Sequence, residues 1–183
     1  MLPADSVASL HNHKLFEEHA IDTIHTLLLN DSTLPMTFIC ETRDYKHLLI
    51  LFYEDKQLGI EEQINMVRNI MLLNDVERYI FATETLSPNN KGLVFLHGNH
   101  HGLQDIAQYS IRRRNGHIKL SDKTESYSLN TNTEWGTLLT GAEVSSKQRK
   151  ELESIVSTLP RNYPVKAFEY SEKINTYQPH RLN

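Results

Sequence analysis

Apolar residues recur along the chain first at helical spacing and then at strand spacing. Between Lys14 and Leu29, the residues Phe16, Ala20, Ile24, Leu27 and Leu28 trace one helical face, with Glu17, Glu18 and Asp22 left for the wet side. Asn30-Asp31-Ser32 ends this predicted helix, and Pro35 disfavours its continuation. Met36 to Glu41 and Tyr45 to Tyr53 then predict a hairpin around Thr42-Arg43-Asp44. In its second strand Leu48, Ile50 and Phe52 face one way while Leu49 and Leu51 face the other, so both faces are apolar and the strand should be central. A second helix is predicted over Ile60 to Leu73 from Ile60, Ile64, Val67, Ile70 and Met71, with Glu61 and Glu62 near the positive end of its dipole.

Strand patterns follow over Glu77 to Leu86 and Leu93 to Leu96, separated by the turn-rich run Ser87 to Gly92. Asp105 to Arg114 and His117 to Ser121 flank Asn115-Gly116, the pair that suits the two positive φ angles of a type I′ turn. On the longer of these strands Ala107, Tyr109, Ile111 and Arg113 form the more apolar face and are expected to point inward. The polar run Ser121 to Thr133 predicts an exposed strand or long loop, after which Trp135 to Leu139 returns to the core and Gly141 breaks the segment. Ser145 with Gln148 is a capping-box pattern that opens a last helix carrying Leu152, Ile155, Val156 and Leu159, closed by Pro160. Val165 to Tyr170 predicts a final strand at a sheet edge. The order of elements indicates an α+β fold: a mostly antiparallel sheet with about three helices packed on one of its faces. A chain of 183 residues fits one domain over 1–183, with 1–13 and 171–183 expected to be loosely ordered.

Apolar content of 39% and charged content of 23% are those of a folded chain rather than a disordered one. The formal charge of -4 is unevenly spread: residues 1–100 hold 7 Lys/Arg against 14 Asp/Glu, and residues 101–183 hold 12 against 9. The acidic half argues against a protein that coats nucleic acid or anionic membrane, and leaves room for a local basic patch. Cys40 is the lone cysteine, which excludes an internal disulfide and any CxxC zinc site and suits a reducing compartment. It shares a strand face with Met36 and Phe38, so a buried structural thiol is expected rather than a nucleophile. The first ten residues have no secretory pattern, and no apolar run approaches the roughly 20 residues of a spanning helix, so a cytoplasmic protein without membrane partners is expected.

The strand RYIFATE, Arg78 to Glu84, lies after a predicted helix and before a strand pair whose turn reads RRNG. Over Met36 to Lys119 this resembles small uncharacterised α+β proteins of phage and mobile-element type that carry an RYxFxxE-like strand in this place. The resemblance implies no catalytic residues.

Two clusters carry candidate chemistry. His97, His100 and His101 form HxxHH just before Gly102 and Asp105; imidazole nitrogen suits divalent transition metals, and a catalytic site needs about three protein ligands with one open position. Asp105, Glu84, His117, His11 or His13 could complete such a set, and a metal-dependent hydrolase would then use Glu84 or Asp105 as proton acceptor. HxxHH does not reproduce the geometry of HExxH, so a solvated turn is the competing expectation and no cofactor is required. Arg112, Arg113, Arg114, Lys119 and Lys123 place cations on and beside the Asn-Gly hairpin; a β-ribbon of this kind can clamp phosphate or enter a groove, or simply guard a sheet edge. GxSxG, GxxxxGK[ST] and GxGxxG are all missing. The expectation is a small intracellular protein that acts by binding, in an accessory or regulatory role, with a protein partner or a second copy as its contact. A metal-dependent hydrolase and a nucleic-acid-binding module are the alternatives.

Overall fold

A computed structural model describes residues 4–30, 33–53, 58–87, 90–115, 117–121, 124–125, 133–160 and 163–170. Their order is α1 (Ala4–Asn30), β1 (Met36–Thr42), β2 (His47–Phe52), α2 (Ile60–Leu73), β3 (Val76–Ser87), β4 (Asn90–Asn99), β5 (Gly102–Arg114), β6 (His117–Leu120), β7 (Thr124–Glu125), a 3-10 turn (Thr133–Gly136), α3 (Ser146–Ser157) and β8 (Val165–Tyr170). α1 begins at Ala4, well before its apolar stripe, because each residue added to a formed helix gains a backbone hydrogen bond. β3, β4 and β5 are longer than their apolar patterns, since ladder pairing continues past the last apolar residue.

The strands form one antiparallel sheet in the order β6-β5-β4-β3-β1-β2-β8, with β7 pairing β5 beside that path. The connection through α2 carries β3 past β1, so β1 lies between β2 and β3. Both outer strands reach α1. His25 Nε2–H donates to the Ile118 carbonyl of β6 at 2.9 Å, and His19 Nε2 is hydrogen-bonded to the Tyr170 hydroxyl of β8 at 2.8 Å. Seven flat strands would hold their edges roughly 29 Å apart at the usual spacing of about 4.8 Å, whereas a helix with side chains is about 10–12 Å across. The sheet therefore curls around α1.

This arrangement corrects the expectation that all helices share one face. Ile39, Leu49, Ile80, Phe95, Tyr109 and Phe168 turn inward onto Phe16, Ala20, Ile24, Leu27 and Leu28 of α1. Phe38, Cys40, Leu48, Ile50, Tyr79 and Phe81 turn outward, beneath Met66, Val67, Ile70 and Met71 of α2 and Trp135, Leu138 and Leu139. Central strands that are apolar on both faces need a separate cover on each, because every large aliphatic or aromatic side chain left wet forgoes about 1.5–3 kcal/mol. Cys40 lies in the outer cluster as predicted, and burial pushes its thiol well above the ordinary range. α3 starts at the predicted Ser145–Gln148 capping box and contributes no fully buried side chain. It leans on the end of α2, where Arg149 donates to the Leu73 carbonyl at 2.7 Å and pairs with Asp75 at 2.5 Å.

Candidate functional site

The basic hairpin is built by its register. Asn115 has φ of 51°, the left-handed geometry that the Asn-Gly pair predicted, while Gly116 lies outside the described residues. A two-residue connection sets Arg114 opposite His117, Arg113 opposite Ile118, Arg112 opposite Lys119 and Ile111 opposite Leu120. Directly opposed residues project to the same side of a ladder, with Cβ atoms about 4.5–5.5 Å apart. Ile111, Ile118 and Leu120 pack into the α1 cluster. The opposite side therefore presents Arg112, Arg114, His117 and Lys119, all exposed.

The ribbon stands apart from its neighbours. The β4–β5 ladder ends at Gly92 opposite Ser110, and beyond it residues 111–114 pair, among the described residues, with β6 alone. Behind the ribbon, the His25 bond to the Ile118 carbonyl ties β6 to α1. Among the described residues, Arg112, Arg114 and Lys119 form no ion pair, whereas Arg43, Lys46, Arg78 and Arg149 each meet a carboxylate. Of the five cations predicted here, three share the exposed face, Arg113 falls on the other side, and Lys123 lies outside the described residues. His117 also lies on this face and is not one of those five residues. Its place was readable, because the Asn-Gly turn fixes it opposite Arg114.

The histidine stretch is divided rather than assembled, and it is not the loop that the sequence suggested. His97 belongs to β4, opposite Ile80 of β3 and Asp105 of β5, and is 3% exposed. Its ring lies 6.5 Å from that of Phe95, on the α1 side. His100 sits in the β4–β5 turn, its Nε2 3.2 Å from the carbonyl of Val76, a residue of the outer cluster. His101 is exposed, and its backbone N–H donates to Asn99 Oδ1 at 2.8 Å. Asp105 accepts from the Ile106 N–H at 2.8 Å, and Glu84 accepts from the Leu34 N–H at 3.1 Å. Of the four predicted ligands, the ladder brings only His97 and Asp105 side by side. Among the described residues no group of three or more His, Cys, Asp or Glu is placed to hold a metal ion. The side chains of His11 and His13 lie outside the described set.

Sequence patterns also missed the polar seam between α1 and the sheet, because its members are far apart in the chain. The Tyr109 hydroxyl donates to the Glu17 carboxylate in a very short bond, and burial, reinforced by that carboxylate, pushes the Tyr109 phenol far above its ordinary range. The His19 and His47 rings lie 4.2 Å apart beside Tyr170, whose phenol is likewise raised by burial. Arg78 donates to Glu41 at 2.8 Å and stands 4.6 Å over the Phe16 ring. These contacts orient α1 within the curl.

At the far end of the strands an open cleft of about 520 Å³ is lined in part by Thr42, Arg43, Asp44, Lys46 and Glu169. Its charges are internally matched: Lys46 lies 3.1 Å from Asp44 and 3.7 Å from Glu169, and Arg43 lies 3.5 Å from Glu77. The Thr42 hydroxyl, followed by Lys46, holds the Asp44 carboxyl below the usual carboxylate range. The basic side chains of the cleft are thus already met by carboxylates, unlike Arg112, Arg114 and Lys119 among the described residues. No helix among the described residues is long and apolar enough to cross a membrane. No protein-family model matches the chain, and comparison with curated proteins and with solved structures found no match.

Proposed function

We propose that this protein acts by binding, and that the solvent face of the β5–β6 ribbon is its contact surface for a polyanion, the phosphate backbone of nucleic acid. The observation that carries this reading is Arg112 set directly opposite Lys119 with, among the described residues, no carboxylate paired to either. Like charges in that position destabilise a sheet, by the order of 0.2–1 kcal/mol. A strand that only guarded its edge could use single or alternating charges and escape this penalty. A bound phosphate removes it.

Supporting the same reading, the ribbon is backed by α1 and so holds its side chains ready. Arg112, Arg114 and Lys119 bring three cations of the basic half of the chain onto this one face. An accessory role in a mobile-element setting fits the resemblance of the Arg78–Glu84 strand, and a cytoplasmic setting fits a lone cysteine kept as a buried thiol. A hydrolytic role at His97, His100 and His101 has less support, since His97 is buried beside Phe95 in β4 while His100 and His101 sit in the β4–β5 turn.

Retention on a heparin column tests the proposal. The wild-type chain should elute at higher salt than a variant carrying Arg112→Gln, Arg114→Gln and Lys119→Gln, with both giving the same circular dichroism. Identical elution would remove the ribbon as the binding surface.

A further inference from the structure

Resting on the binding role just proposed, we infer that the ribbon's ligand is double-stranded nucleic acid gripped through phosphates, in preference to a single strand. The ribbon's solvent face consists of three cross-strand rows: Ser110 beside Ser121, Arg112 beside Lys119, and Arg114 beside His117. The first row is joined by the Ser121 N–H donating to the Ser110 carbonyl at 2.9 Å. Every side chain on this face can donate a hydrogen bond to a phosphate oxygen when the histidine presents an N–H, and none is a carboxylate.

Proteins that hold single strands combine a basic groove with aromatic rings on which successive bases stack. The described ribbon offers no Phe, Tyr or Trp on this side. Tyr109, the aromatic residue of β5, is 6% exposed and faces α1. Tyr45 lies in the β1–β2 turn at the other end of the strands, and Tyr53 is covered by Lys166 at 5.2 Å from its ring. With stacking removed, attraction depends on the density of phosphate charge alone. That density is greater along a duplex, where each neutralised phosphate contributes about 0.9 to the salt dependence against about 0.7 for a single strand.

The shape agrees with the charge. A two-stranded ribbon that parts from β4 after Ser110 and ends in a two-residue turn is of the size that the roughly 12 Å major groove of a DNA duplex admits. Its back is held by α1 through His25 and Ile118, so it meets the duplex as a firm strip without folding around a flexible strand. Arg112, Arg114 and Lys119 are thus phosphate-positioning residues, and binding should tolerate changes of base sequence.

Fluorescence anisotropy of the full chain with a fluorescein-labelled 20-base-pair mixed-sequence DNA duplex and with one of its strands alone, both at the same pH, gives the test. The duplex should bind several-fold tighter. A plot of log affinity against log salt should have a slope of about -2.7, reduced by about 0.9 in each of Arg112→Gln, Arg114→Gln and Lys119→Gln. A single strand bound as tightly as the duplex would overturn this inference while leaving the ribbon as a polyanion site. Absence of binding to either probe, or unchanged binding by the triple Gln variant, would overturn both.

Discussion

Arg112 on β5 stands directly opposite Lys119 on β6, and both side chains point into solvent from the face that α1 does not cover. Stability and binding are therefore opposed at this pair. Lys119→Glu replaces a cross-strand repulsion by an attraction and should raise stability by about 0.5–1 kcal/mol, while weakening polyanion binding. The urea midpoint and anisotropy, measured on the same preparation, check this. A loss of stability accompanying the loss of binding would mean that the pair serves the fold.

Gly98 has a different constraint: a Cβ built there would lie 2.4 Å from Cζ and from the hydroxyl of Tyr79, and 2.8 Å from the Gly136 carbonyl. Tyr79 cannot give way, since its hydroxyl donates to the Trp135 carbonyl at 2.9 Å and accepts from the Leu138 N–H at 3.0 Å. Gly98→Ala should destabilise by about 1–3 kcal/mol through overpacking. Thermal unfolding followed by Trp135 fluorescence measures it, and an unchanged midpoint would show that the 3-10 turn moves aside freely.

Glu41 and Arg78 form a half-hidden ion pair, with side chains 15% and 24% exposed. Glu41→Gln should cost about 1.5–3 kcal/mol, the range for a hydrogen bond to a charged group. Arg78→Met should cost at least as much, because it leaves the Glu41 carboxylate, 15% exposed, without its opposite charge even though an apolar stem remains near Phe16. Chemical denaturation of both single variants and the double variant yields the coupling, and additive losses would show that the pair contributes nothing as a pair.

Stability should decline in alkali. Burial raises the Cys40 thiol and the Tyr79, Tyr109 and Tyr170 phenols above their ordinary values of 9.0 and 10.0. The folded chain then keeps protons that the unfolded chain releases. Their contribution is complete below the unfolded values and is lost progressively as pH rises through them toward the higher folded values. The urea midpoint should fall between about pH 8.5 and 10.5, with tyrosinate absorbance from these three residues appearing only on unfolding. Full tyrosine titration in the folded state would contradict the burial.

Ser145→Ala removes a reciprocal cap in which Ser145 Oγ accepts from the Gln148 N–H at 3.3 Å and Gln148 Oε1 accepts from the Ser145 N–H at 3.0 Å. The expected cost is about 1 kcal/mol. As α3 buries no side chain fully, the effect should be local: faster amide exchange in α3 with the sheet unchanged. Equal acceleration in β1 and β3 would contradict it.

How much was legible follows from how local each cause is. The Ser145 cap, the Val165–Tyr170 strand and the inward set Ala107, Tyr109 and Ile111 were readable because each depends on neighbours within a few residues or on strict alternation. His97 was misplaced in a loop because Gly98 resembles a turn residue. Its actual role is to leave room for Tyr79, which comes from another strand. Likewise Glu17, His19 and Tyr170 carry no pattern, since they meet across separations of 92 and 151 residues.

By itself the sequence determined the ribbon: Asn115-Gly116 sets a two-residue turn, the turn sets the register, and the register places Arg112 beside Lys119 and Arg114 beside His117. It also determined that the central strands are apolar on both faces, and that Cys40 lies within the core. Which cover lies on which face was decided by tertiary structure alone, since alternation separates two faces without saying what meets either. The curl that brings β6 and β8 to the same helix, and so stiffens the ribbon through His25, depends on strand order and on the summed twist of seven strands. Those are properties of the assembled sheet, and no single stretch of the chain contains them.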